Sequence, residues 1–317
     1  MAGILFIGEK NMKQGIVTDY AQLCRALEEG AIHILCRDFT TEGEQTTKVV
    51  IDHPVIIDGY SAVVDFGFEI CSGGVTIRDL QITTADIDHA VSAAGKNGRP
   101  GDCLAIEIRS NEKNGGLPVV IENCTILHEV LHNMNSAIYI SDGCHVEIRG
   151  NDITVEDKLE NKALERGGIF VGQGVSGHIC GNRIRTARTG FPITPYGLRT
   201  SLDHVSGPMD LPPVEIRDNE VCSTYFAKLY VSGALFGEDG RIMDDAFGAR
   251  AALRDLAVSL WENNRFTHIA EKPAPYEGSF VQPRLDQIAA GAPYHERYVF
   301  FDLEDGQPVR AELPTAE

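Results

Sequence analysis

The chain has no uninterrupted apolar run near the ~20 residues that a membrane-crossing helix needs, so no part of it reads as such a span. Its opening stretch, MAGILFIGEKNMKQG, lacks a charged start followed by a long apolar core. It does not read as an export signal, and the expected location is the cytoplasm. Close cysteine pairs are missing too. The eight cysteines, Cys24, Cys36, Cys71, Cys103, Cys124, Cys144, Cys180 and Cys222, are scattered without the CxxC spacing of a zinc site. Without export, free core thiols are the economical expectation. Basic charge is scarce: 28 Lys and Arg stand against 46 Asp and Glu, a formal −18. That balance argues against nucleic acid and acidic membrane surfaces as partners, and disfavours a polyanion such as pectate unless a cation intervenes.

What the chain has in quantity is repetition. Val75-Thr-Ile77-Arg-Asp-Leu80-Gln-Ile82 is followed by copies at 119–126, 146–153, 177–184 and 214–221, and by a looser one at 259–266. Apolar and polar residues alternate in each, the period of a strand with one buried face. Four copies place Asn at one corner position: Asn151, Asn182, Asn219 and Asn264. Asn tolerates the left-handed backbone of a sharp corner, and its amide can bond to the Asn one turn above. A second phrase recurs ahead of each copy, at 67–70, 105–108, 137–140, 168–171, 190–193 and 228–231. The stretch 137–153, AIYISDGCHVEIRGNDI, shows one whole unit as three short strands. A single unit cannot bury its apolar side, so the copies must stack. The expected fold is all-β, a three-sheet solenoid in one domain, and the 32 glycines suit its many corners.

The repeat resembles the right-handed parallel β-helix of the pectin-lyase-like superfamily over residues 18–270. On that resemblance, residues 1–54 are the N-terminal cap and opening coil, 55–270 the coils, and 271–317 a C-terminal extended tail packing on them. Residues 18–30, TDYAQLCRALEEG, suit the capping helix, with Thr18 as N-cap, Tyr20, Leu23 and Leu27 on one face, and Gly30 at the end. Loop insertions are expected at 84–102, 128–135, 156–166, 198–213 and 236–258. The resemblance implies chemistry on the first sheet: an Arg or Lys base with acidic calcium ligands in lyases, grouped Asp residues in hydrolases. Neither set is complete here. NTD, GHG and RIK phrases are absent, and Gly177-His178-Ile179 and Arg183-Ile184-Arg185 are partial echoes on another strand. Arg109 is the fair candidate for a lyase-like base.

Strands in register lie about 4.8 Å apart, so outward positions become columns. One column of the first-strand series reads Glu69, Glu107, Tyr139, Phe170, Pro192, Tyr230. Its neighbours read Cys71, Arg109, Ser141, Gly172, Thr194, Ser232, and Gly67, Ala105, Ala137, Gly168, Gly190, Lys228. A carboxylate pair, an aromatic strip and a floor of small residues between insertions describe a groove. Glu69 and Glu107 would split their pKa values into an acid and a base, or remain solvated with Glu107 paired to Arg109 or to lysines. Tyr139, Phe170 and Tyr230 would stack on a sugar ring, or form a covered ladder. Thr194 and Lys228 flank them as ligand contacts.

His128-Glu-Val-Leu-His132 matches HExxH in form, yet strand and corner residues precede it and no HxxGxxH extension follows. No metal and no cofactor is expected. His128 and His132 read as a loop acid or base, or as ordinary polar residues. Asp88 and His89 in the first insertion, and His204 in the fourth, are further ligand contacts or solvated surface. The expected function is acid/base chemistry on a carbohydrate or small biosynthetic intermediate: elimination, isomerisation, epimerisation or cyclisation. The alternative is a non-catalytic glycan-binding or scaffold protein. A small-molecule or oligosaccharide partner is expected either way, and a homo-oligomer stays open.

Overall fold

The structure, a computed structural model, describes residues 14–41, 46, 48–85, 104–109, 116–130, 136–157, 167–172, 174–193, 214–232, 259–260, 262–268, 296–304 and 307–311. Its middle face stacks eight strands: Gln14–Asp19, His33–Thr40, Ile56–Asp58, Thr76–Arg78, Val119–Glu122, His145–Arg149, Ser176–Cys180 and Val214–Arg217. The first face stacks Val49–Ile51, Phe68–Ile70, Ile106–Ile108, Ile138–Ile140 and Ile169–Val171. The third stacks Val63–Val64, Gln81–Ala85, Thr125–Val130 and Asp152–Asp157. Two longer strands, Arg183–Ile193 and Glu220–Ser232, run from the third face into the first and join them. Every pairing among these strands is parallel, so the chain is a parallel β-helix solenoid.

The alternation in the sequence becomes inside and outside. Ile77, Ile121, Ile148, Ile179 and Ile216 are successive register partners on the middle face, and all are buried. Each such side chain contributes about 1.5–3 kcal/mol on burial. Asn151, Asn182, Asn219 and Asn264 form the expected ladder, the Nδ2 of each of the first three donating to the next Oδ1 at 2.9 Å. The same amides also donate to the carbonyls of Ile121, Ile148, Ile179 and Ile216. The left-handed backbone, however, falls one residue earlier, on Asp79, Asn123, Gly150, Gly181 and Asp218. The ladder Asn must point inward, so its neighbour takes the corner.

At the N-terminal end the helix Tyr20–Glu28 buries Leu23, Ala26 and Leu27 and sets Tyr20 edge-on to Phe66, with ring centroids 5.1 Å apart. A helix this short owes its stability to that packing. Its N-cap is Asp19, not Thr18: the Asp19 carboxylate accepts the Gln22 N–H at 2.8 Å. The Thr18 hydroxyl instead accepts from the Gln22 side-chain amide. Of the tail, Glu296–Glu304 pairs antiparallel with residues 228–232, and Gln307–Ala311 pairs with it in turn. These strands extend a sheet edge and so occupy backbone groups that an edge leaves open.

Three insertions begin later than expected, because strands run on through Ala85, Val130 and Asp157. The last coil is also registered differently. Pro192 pairs with Lys228 and Ile193 with Leu229, so Lys228, not Tyr230, is the register partner at that position of the column. A slip of two residues preserves the inward and outward alternation, so the pattern could not detect it. The seven described cysteines are free thiols, of which Cys36, Cys124 and Cys144 are buried.

Candidate functional site

First-face strands are three residues long, so each rung offers one outward side chain between two inward ones. Val50, Glu69, Glu107, Tyr139 and Phe170 are successive register partners in that position. The small residues expected as a groove floor are not outside. Ala105 and Ala137 are fully buried, and a Cβ on Gly168 would lie 2.3 Å from Ile184 Cγ2. They occupy the corner before each strand, where the chain turns its side chains into the core.

The carboxylate pair sits in a four-membered ion cluster. Lys48 Nζ lies 2.8 Å from Glu69 Oε2 and 2.8 Å from Glu107 Oε2. On the other side, Arg109 Nε lies 3.0 Å from Glu69 Oε1 and 2.9 Å from Glu107 Oε1. Burial alone pushes the Glu69 carboxyl up, but the Lys48 hydrogen bond and the charges of Lys48 and Arg109 outweigh it and hold it below its ordinary value. Burial likewise pulls the Lys48 ammonium down, and its hydrogen bonds to Glu107 and Glu69 hold it above its ordinary value. Arg109 is also held up by the pair against the burial that lowers it. Beside them the Cys71 thiol is pushed up by burial and by the Glu69 charge, and its Sγ lies 3.7 Å from Glu69 Oε1. The cluster therefore presents an ionised Glu69 beside two cations.

One rung on, the Tyr139 and Phe170 rings stack with centroids 4.5 Å apart and planes 1° from parallel. Tyr139 is half-buried, whereas Phe170 is only 6% exposed, so Phe170 backs the Tyr139 ring rather than offering a face of its own. His128 lies within the strand Thr125–Val130, fully buried, with Nδ1 2.8 Å from the Thr84 hydroxyl. It points into the coil and not into a groove on the first face. For Lys228 and Tyr230 only the strand position is described. His132, Asp88, His89, Thr194 and His204 lie outside the described residues.

Lys48 is the member that sequence reasoning missed. Val49-Val-Ile51 repeats the inward, outward, inward phrase of Phe68–Ile70, which identifies it as the first rung and Lys48 as its leading residue. Among the described residues no helix is long and apolar enough to cross a membrane, and no group of His, Cys, Asp and Glu has the arrangement of a metal site. Comparison with models of known protein families, with curated proteins and with solved structures returns no match.

Proposed function

We propose that the chain is a cytoplasmic β-helix enzyme of the pectin-lyase-like kind, with its acid/base site on the first face. Its substrate is a carbohydrate or a small biosynthetic intermediate, and its reaction an elimination, isomerisation, epimerisation or cyclisation. The observation that carries this reading is the placement of Glu69 and Glu107 on successive rungs between Lys48 and Arg109. In the form that this site would serve, each of these reactions begins by removing a proton from carbon. A carboxylate of the pair takes that proton, and the electron pair left behind moves onto an adjoining carbonyl or carboxylate oxygen of the substrate. A neighbouring guanidinium stabilises the charge that develops there. Tyr139 supplies a flat face one rung away for the ring or chain of the substrate.

One observation favours the non-catalytic reading. Each carboxylate already faces two cations, an arrangement that also suits a binding surface or a purely structural clasp. Calorimetric titration of wild type, E107Q and Y139A against a panel of mono- and oligosaccharides tests the location of the site. We expect a ligand of wild type to lose about tenfold or more in affinity with either variant. Unchanged affinity in both variants would move the site off the first face.

A further inference from the structure

The end strand of the first face is flanked by opposite charges. Val49–Ile51 pairs with Phe68–Ile70 on one side and, among the described residues, with no strand on the other. The Val49 N–H donates to the Gly67 carbonyl, and the Ile51 carbonyl accepts the Cys71 N–H. Both residues thus turn their backbone groups to the inner neighbour, and by alternation those of Val50 point to the outer edge. The Val50 side chain faces outward and is 54% exposed. Lys48 and Asp52 flank it. Lys48 reaches outward to Glu69 and Glu107 on the rungs that follow, and the Asp52 side chain is 74% exposed beside His53. An edge of this kind is a template for another strand.

We propose that Val49–Ile51 is the interface of a two-fold dimer, in which this strand pairs antiparallel with the same strand of a second copy, centred on Val50. Lys48-Val-Val-Ile-Asp52 is self-complementary in that register. Val50 faces Val50 of the second copy, and the two exchange both backbone hydrogen bonds. Lys48 faces Asp52 of the second copy on one side of the axis, and Asp52 faces the second copy's Lys48 on the other. Opposite charges directly across an antiparallel pair stabilise it, and a two-fold interface presents one patch twice. The end strands of the other two faces lack this pattern. Gln14–Asp19 carries one charge, Asp19, which already caps the helix, and Val63–Val64 is two residues long. Apolar exposure is concentrated at the same end. Of the six exposed large apolar side chains among the described residues, Ile32, Val50, Ile56, Tyr60 and Val63 all fall within residues 32–63. The formal −18 of each chain opposes self-association, but at physiological salt a Debye length of about 8 Å confines that repulsion to near neighbours.

Sedimentation velocity of the full chain over a concentration series, in about 0.15 M salt, tests the pairing. Wild type should show a monomer–dimer equilibrium, and D52K should weaken it about tenfold or more by setting like charges across both flanking pairs. D52K lowers the net negative charge, so a weaker dimer cannot come from overall repulsion. Geometry is read separately by oxidation with copper phenanthroline. V50C should form a disulfide-linked dimer, because facing residues of a hydrogen-bonded antiparallel pair lie about 5.5 Å apart at Cα. V63C, at a position 52% exposed on another face, and wild type should not. A monomeric wild type, a D52K dimer as tight as wild type, or V50C cross-linking no better than V63C overturns the proposal. V50C keeps both flanking charges, so its cross-linking decides even where D52K does not fold.

Discussion

At the scale of single residues, two kinds of polar side chain hold this solenoid, and they differ in what water can do for them. The ladder asparagines Asn151, Asn182 and Asn219 are buried, and each satisfies backbone groups of its neighbours as well as the next amide. Asn182 accepts from the Asn151 N–H and donates to the Ile148 carbonyl. N182A should therefore cost about 3 kcal/mol in chemical denaturation, since buried partners are orphaned as well as bonds lost; a loss within experimental error of zero would mean water replaces the amide. The first-face cluster is partly wet and titrates. Glu69 has its folded value below the ordinary 4.5, so its contribution is complete at neutral pH, fades as pH falls past 4.5 and is gone below the folded value. E69Q should be less stable than wild type near neutrality, and the two stability curves should converge in acid. Parallel curves would show that Glu69 contributes nothing through its charge. The Asn ladder was legible because one residue type recurred at one position. Lys48 was not, because its partners lie on rungs that follow and the only local mark is the short phrase Val49-Val-Ile51 after it.

Elements obey the repeat where their pairing is tight and depart from it where a strand lengthens. The phrases at 75–82, 119–126 and 146–153 fall in register as the sequence indicates. Alternation reports which face a residue takes, but not whether a strand continues beyond its third residue. His128 opens the insertion expected at 128–135, yet the strand carries it on and the coil buries it. The last rung slipped by two for the same reason: Ala227 and Leu229 alternate as well as Leu229 and Val231 do. Gly177 shows how close the backbones approach. It sits at φ +97 within the strand Ser176–Cys180, and a Cβ there would lie 2.0 Å from the Val146 carbonyl oxygen. G177A should destabilise by about 3 kcal/mol in urea unfolding, from strain and clash together. A neutral substitution would show that the rungs can part locally at no cost.

For the molecule as a whole, stacking turns a one-dimensional repeat into surfaces, and the surfaces differ in kind. On the third face, Asp152, Arg183, Glu220 and Arg265 alternate in sign along one outward column, with exposed ion pairs of 3.2 to 3.7 Å. Such pairs contribute little each, and they keep an exposed sheet face solvated. The first face departs from that pattern, with like charges on adjacent rungs followed by aromatic rings. Two carboxylates held side by side would repel each other, and here Lys48 and Arg109 offset that repulsion. The most direct test is reaction-independent: exchange of carbon-bound hydrogen. Wild type and E107Q are incubated in D2O with a panel of sugars, amino sugars and small hydroxy or keto acids, and deuterium is read by mass spectrometry. The account predicts incorporation into at least one compound by wild type, slowed about 100-fold or more in E107Q. Incorporation at equal rates by the two proteins, or none above buffer with a compound that wild type binds, would contradict it.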